Sequence, residues 1–313
     1  MSDNTTFRLK FWGTRGSIAC PGPDTVKYGG NTTCFEVTCG SRRIIIDAGT
    51  GIRALGQKIM HEEGNSLNAD IFFTHTHMDH IGGLGMYIAS RNLLSLPPPT
   101  ILVPESKIEA ISNFIDALRV LDDSDLPHEM IPFAPSAETC YSMKNKNYKI
   151  KAFETVHPIA SQGYVILSTK QKLKDEYLSL KGSEIKALKD DGVEITDTVT
   201  VPEIMFTGDT TMEFLHSSPQ EVIQEGLKSR LVCLECTFVN DDVSPADAKR
   251  FGHTHVRDIA ENADRFRECE NILLIHFSAR YTREEIREGL RNQLAESHAW
   301  LYAKITPMLA GYD

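Results

Sequence analysis

Thr74-His75-Thr76-His77-Met78-Asp79-His80 places three imidazoles and a carboxylate within positions 75 to 80. The stretch follows an apolar run, Ile71-Phe72-Phe73, and leads into Ile81-Gly82-Gly83. Such a run bounded by a Gly-rich turn reads as a strand followed by the start of a helix. The cluster is therefore predicted at a strand end, where a loop can turn alternate residues into one pocket. His75 and His77 then share one metal ion, and Asp79 and His80 reach a second. Imidazole with carboxylate suits zinc, and less often manganese or iron.

Two ions need more ligands, and three candidates each close a β-like run. His157 follows residues 149–156 and precedes Pro158, Asp209 lies in Thr207-Gly208-Asp209-Thr210, and His276 ends residues 271–275. Asp209 has two oxygens and can bridge ions roughly 3.5–4 Å apart. The predicted sets are His75, His77 and His157 with Asp209, and Asp79, His80 and His276 with the same Asp209. A water between such ions becomes a hydroxide near neutral pH. Asp79 is predicted to orient it and to act as base.

A histidine beside the ions but free of them is suited to protonate a leaving oxygen, provided a carboxylate holds its tautomer. His253, in Gly252-His253-Thr254-His255, is that candidate. Its partner is Glu235, set in the apolar run Leu234-Glu235-Cys236-Thr237. A buried glutamate is costly unless paired; the plainer alternative is that Glu235 faces solvent. His61, His128, His216 and His298 sit in polar or helical contexts and read as surface or structural.

The surrounding chain is ordinary globular material. It has 313 residues, 41% of them hydrophobic and 24% charged, which excludes collagen-like, low-complexity and coiled-coil chains. The net charge of -10 argues against a protein that coats duplex DNA non-specifically. No apolar run approaches the ~20 residues of a membrane helix, and Met1–Lys10 lacks a signal-peptide core. Seven scattered cysteines, Cys233 and Cys236 among them, predict free thiols in a reducing compartment. The lone CxxC lies in a strand-like run, where residues three apart face opposite sides, so it reads as structural.

Strands are predicted at 7–12, 35–38, 43–47, 70–74, 100–103, 148–153, 163–168, 203–207, 231–237 and 271–276. Helices are predicted at 51–61, 105–120, 256–268 and 282–295. A strand-rich first half with helices entering at intervals in both halves indicates layered α/β with mixed sheets rather than regular βαβ alternation. Between Lys170 and Lys189 there are six lysines against Asp175, Glu176 and Glu184. The run reads either as a solvated helical face or as a small positive arm on an acidic body.

The histidine cluster, Thr207-Gly208-Asp209-Thr210 and His276 resemble the metallo-β-lactamase fold. That resemblance implies an αββα sandwich, two mixed β-sheets flanked by helices, as one domain over residues 1–313. From Ile71 onward the chain is similar to ribonuclease Z, the tRNA 3′-processing endonuclease, and most of all to its short plant forms. The similarity rests on His80-Ile81-Gly82-Gly83-Leu84, Ser161-Gln162-Gly163-Tyr164-Val165, Gly192-Val193-Glu194-Ile195-Thr196-Asp197 and His276-Phe277-Ser278-Ala279-Arg280-Tyr281. The family's paired Glu and His motifs fall on Glu235 and His253. The Lys-rich segment, about 168–200, lies where the family carries its tRNA-binding arm. The resemblance implies a cytoplasmic homodimer with two Zn2+ per chain, Mn2+ being the other metal considered, and no membrane association. The implied reaction removes the 3′ trailer of precursor tRNA by metal-hydroxide attack on phosphorus. Asp79, Glu235 and His253 are then catalytic, and Arg280, Lys172, Lys174, Lys181 and Lys186 bind substrate. The N-terminal stretch, Trp12-Gly13-Thr14-Arg15-Gly16-Ser17-Ile18 to Gly30-Asn31-Thr32-Thr33, resembles metallo-hydrolases of small phosphodiesters. A cyclic-nucleotide or other small-molecule phosphodiesterase with the same core is thus the alternative.

Overall fold

A computed structural model of the chain describes residues 7–19, 30–39, 42–59, 69–142 and 148–309. Met1 to Thr6, residues 20–29 of the N-terminal stretch and His61 lie outside the described residues. Two mixed sheets face each other. The first holds β1 (Phe7–Gly13), β2 (Cys34–Cys39), β3 (Arg42–Ile46), β4 (Ala69–Phe72), β5 (Thr100–Val103) and β6 (Glu129–Pro132), in that spatial order. β1 to β3 are antiparallel, and β3 to β6 run parallel. The second holds β7 (Tyr141–Ser142), β8 (Tyr148–Glu154), β9 (Gln162–Leu173), β10 (Thr196–Phe206), β11 (Leu231–Glu235), β12 (Asn271–Ile275) and β13 (Ile305–Pro307). Here β7 to β10 are antiparallel and β10 to β13 parallel.

Both faces of each sheet are covered, so the central strands are apolar on both sides. In β3, Ile44 and Ile46 join Phe35, Phe72, Tyr164 and Phe206 between the sheets, while Ile45 points outward. In β11, Cys233 enters the layer between the sheets, and Val232 and Leu234 pack under the outer helices. Cys236 packs with that outer layer, so the two cysteines of the CxxC face opposite sides, as the strand period requires. Ile52, Leu55 and Ile59 of α1 (Gly51–Ile59) cover the first sheet. α2 (Met78–Ile81), α3 (Leu84–Leu93) and α4 (Ile108–Asp122) add Ile81, Leu84, Tyr87, Ile88, Ile111 and Ile115 to the same layer. α5 (Gly182–Asp190) buries no residue. α6 (Gln220–Gly226), α7 (Pro245–Arg250), α8 (Val256–Glu261), α9 (Arg283–Leu294) and α10 (Ala299–Tyr302) cover the second sheet. The arrangement is the αββα sandwich anticipated above.

Several boundaries differ from the sequence expectation. β9 and β10 extend far past 163–168 and 203–207, pairing Leu173 with Thr196. The outer half of β9, Thr169 to Lys172, is polar on both faces; that of β10 alternates as Thr198-Val199-Thr200-Val201, a signal the expected bounds left out. β6, β7 and β13 are too short to show a period. The helix expected at 256–268 breaks after Glu261 into a 3-10 turn, Ala263–Phe266, where the Asn262 side chain takes the Asp258 carbonyl. Among the described residues, no helix is long and apolar enough to cross a membrane.

Candidate metal centre and proton relay

The parallel strands of both sheets end at one edge of the sandwich, and the polar residues that follow them meet there. β4 leads into Thr74 and His75, and α2 carries Asp79 and His80 with His77 at its N-terminus. Asp209 follows β10 and His276 follows β12. Asp47, just after β3, and His276 adopt left-handed backbone angles, with φ of 60° and 64°. Such angles are costly for residues with a Cβ and gather at functional sites. The loop at Gly16 runs so close that a Cβ there would lie 2.4 Å from Nε2 of His276. Next to it, the Ser17 backbone N–H donates to Oδ2 of Asp79 at 2.7 Å.

Two donor groups lie side by side, His75, His77 and His157, and Asp79, His80, Asp209 and His276; a third, Glu235, His253 and His276, shares His276 with the second. In the first, Nε2 of His75 and Nε2 of His157 each lie 3.1 Å from Nδ1 of His77. In the second, Oδ2 of Asp209 lies 3.2 Å from Nε2 of His276 and 3.4 Å from Nε2 of His80. The same oxygen is 3.8 Å from Nε2 of His75, so Asp209 reaches both groups.

The remaining ring nitrogens determine which ones can bind. His80 Nδ1 donates to Oδ2 of Asp47 at 2.8 Å, and His157 Nδ1 donates to the Gly252 carbonyl at 2.8 Å. The Thr74 hydroxyl donates to Oδ2 of Asp47 at 2.8 Å and so accepts from His75 Nδ1 at 3.0 Å. His75 and His157 then turn an unprotonated Nε2 toward the cluster, and His80, its Nδ1 committed to Asp47, turns its Nε2 the same way. Nε2 of His80 and of His276 are buried with no hydrogen-bond partner in the protein. Buried polar atoms without partners are rare, and a cation among them would satisfy all. The residues fit divalent metal binding.

Glu235 is fully buried rather than solvent-facing. Its Oε1 accepts from His253 Nδ1 at 2.7 Å, and Oε2 accepts from the Thr237 N–H and hydroxyl at 2.9 and 3.1 Å. The His253 ring lies 5.3 Å from that of His157 and 5.4 Å from that of His276. His255 instead caps α8, accepting from the Arg257 N–H and meeting the Asn240 carbonyl. His128, His216 and His298 belong to none of these groups.

The electrostatics separate these roles. Burial opposes the charged form of His253, but the Glu235 carboxylate outweighs it and raises the pKa to about 9. Burial lowers His157 to about 4 and His75 well below the usual imidazole range, keeping both neutral. Burial resists ionisation of Asp209, yet His276 and His80 hold its carboxyl well below the usual range. Neutral imidazoles and ionised carboxylates are the forms that bind a cation.

Sequence reasoning missed Asp47 and Thr74 as partners of the ligands. The available signal was a carboxylate closing the apolar run Ile44-Ile45-Ile46 before Ala48-Gly49. The lysines lie away from this edge. Lys172 is on the extended β9, Lys174 and Lys181 cap the 3-10 turn Asp175–Tyr177 and α5, and Lys186 is on α5. Neither α5 nor that turn buries a residue. The arm is therefore a polar hairpin with a short helix, not one helical face. Arg280 stands closer to the centre, stacked 5.5 Å over Phe238, whose ring is 6.3 Å from His253.

Residues 24–301 match the family model described as anti-Pycsar protein Apyc1. The chain is 44% identical to tRNase Z TRZ1 of Arabidopsis thaliana over 85% of its own length and 88% of the relative's. It belongs to the ribonuclease Z family and, with it, to the family the Apyc1 model describes. With chloroplastic tRNase Z TRZ2 of the same plant, the ribonuclease Z-type chain shares 39% identity over 92% of its length and 75% of the relative's. The metallo-β-lactamase fold protein YhfI of Bacillus subtilis superposes with a TM-score of 0.63 at 14% identity, covering 98% of both chains. This is a metal-dependent hydrolase of the ribonuclease Z type on the metallo-β-lactamase fold.

Proposed function

We propose that this ribonuclease removes the 3′ trailer of precursor tRNA by phosphodiester hydrolysis at a pair of divalent ions, zinc on the donor chemistry. The observation that carries the reading is the Glu235–His253 pair set against the seven metal donors. His75, His77 and His157 would hold one ion, Asp79, His80 and His276 the other, with Asp209 between them. When bound, such ions activate water near neutral pH and neutralise the oxygens of a phosphodiester.

The protein's own groups do the rest. Asp79, steadied by the Ser17 N–H, orients the attacking water and accepts its proton. His253 is cationic because Glu235 faces it, and gives its Nε2 proton to the departing 3′ oxygen of the tRNA. Arg280, stacked over Phe238, would meet the negative charge of the transition state. A groove of about 790 Å³ runs beside His157, lined by Pro104, Pro135, Thr155, Pro158, Ile159 and Ser161. Lys172, Lys174, Lys181 and Lys186 on the arm would hold phosphates that an acidic body otherwise repels.

The working unit is a homodimer, in our reading. Met78, Met86, Leu93, Leu94, Val120 and Leu121 are exposed on α2, α3 and α4 or directly after α3, and a second copy would cover them. Between α3 and α4 lies a largely apolar cavity of about 540 Å³. Free thiols at Cys34, Cys233, Cys236 and Cys269 suit a reducing compartment, the cytoplasm. The deciding experiment is parallel turnover of a precursor tRNA and of 3′,5′-cyclic AMP by one zinc-loaded preparation. Cleavage of the tRNA precursor at its 3′ side supports the proposal. Hydrolysis of the cyclic nucleotide alone would replace it with a small-molecule phosphodiesterase.

A further inference from the structure

We propose that the Thr237 hydroxyl is a positioning group that makes one carboxylate, Glu235, hold both the general acid and a metal-ligating histidine. The inference rests on reading His276 as a ligand of the second ion. A carboxylate only accepts hydrogen bonds. The Thr237 hydroxyl, 3.1 Å from Oε2 of Glu235, therefore donates to it. That hydroxyl is also 3.1 Å from Nδ1 of His276, where it can only accept. His276 must then carry its proton on Nδ1 and turn the lone pair of Nε2 toward Asp79 and Asp209, 3.7 and 3.2 Å away. On the other oxygen, His253 Nδ1–H donates at 2.7 Å. A directed chain results: His276 to Thr237 to Glu235, met from the far side by His253.

The first sheet contains the same device with a different load. There the Thr74 hydroxyl joins His75 to Asp47, which also holds His80. Asp47 and His80 sit beside the ends of neighbouring parallel strands, β3 and β4. Glu235 and His276 close the neighbouring parallel strands β11 and β12. In the first device a carboxylate secures two metal donors. In the second it secures one donor and one acid, so any movement of Glu235 shifts both. Thr237 is 7% exposed, and its own N–H also bonds Glu235.

The test is zinc binding to the metal-free protein by chelator competition. Wild type should bind two ions. Thr237→Val keeps the side-chain shape and the His253–Glu235 bond but removes the acceptor of His276 Nδ1–H. It should bind one ion as wild type does and the other about 10–100-fold more weakly. Thr237→Ser should restore the affinity. Glu235→Gln should also weaken one ion, and should add nothing in the Thr237→Val background, since the route from Glu235 to His276 is already cut. Equal affinity for both ions in wild type and Thr237→Val overturns the proposal, as does additivity of the two substitutions. Fewer than two ions in wild type would instead overturn the two-ion reading beneath it.

Discussion

His80 Nδ1 lies 2.8 Å from Oδ2 of Asp47, a carboxylate with no exposure to solvent. Burial raises the Asp47 pKa, yet His80 and Thr74 between them occupy both of its oxygens. Asp47→Ala leaves a buried imidazole and the Thr74 N–H without partners. The unfolding free energy should fall by about 3–5 kcal/mol, and zinc retained on dialysis should drop. Urea unfolding and elemental analysis together check this; a variant with wild-type stability and metal content would show that Asp47 holds nothing.

Asp209→Ala removes a carboxylate that reaches both donor groups. At least one zinc per chain and nearly all activity should be lost while the fold survives. Two zinc ions retained in the variant would rule out a bridging role.

His253→Ala should lower turnover by roughly 10²–10⁴-fold with metal content unchanged. A nitrophenolate leaves without a proton, so the loss on a nitrophenyl diester should be far smaller. Equal losses on both substrates would make His253 a binding residue.

The pH profile follows from the same pair. His253 must be protonated to act, and its pKa is raised to about 9 by Glu235 against the opposing effect of burial. Turnover of precursor tRNA should hold while His253 keeps its proton and fall on the alkaline side as that proton is lost. The stabilisation of the fold by this ion pair has the same sign: it is complete below the usual imidazole pKa and is lost through the same upper limb. Glu235→Gln removes the anion, so the alkaline limb should move to lower pH. An unmoved limb would assign it to another group.

Replacing Lys172, Lys174, Lys181 and Lys186 by Ala should raise the KM for precursor tRNA and flatten its salt dependence. Small-diester hydrolysis should barely change, because these residues lie on the hairpin and not at the metal edge. Parallel changes on both substrates would make the arm a solvated face.

Met86→Glu with Leu93→Glu puts two charges on the apolar face of α3. Light scattering should show a dimer become a monomer. An unchanged mass would place the dimer contact elsewhere or remove it.

The histidine cluster was legible because its donors are contiguous: a strand end and one short helix deliver His75, His77, Asp79 and His80 with no help from distant chain. The inner strands were equally plain, since burial on both faces makes 44–46, 164–167 and 231–234 apolar throughout. The outer half of β9 was not. Its backbone ladder holds it, and hydrogen bonds between strands leave no mark on side-chain pattern.

The sequence by itself determined the donor types, the layered α/β class and, through local motifs, the pairing of Glu235 with His253 as a candidate. Only the tertiary structure decided what holds those donors in place. Asp47 and His80 are 33 positions apart, and Thr237 and His276 are 39 apart. They meet because parallel neighbouring strands end at the same edge of a sheet. Strand order is set by burial summed over the whole sandwich, and no single segment of the sequence encodes that sum.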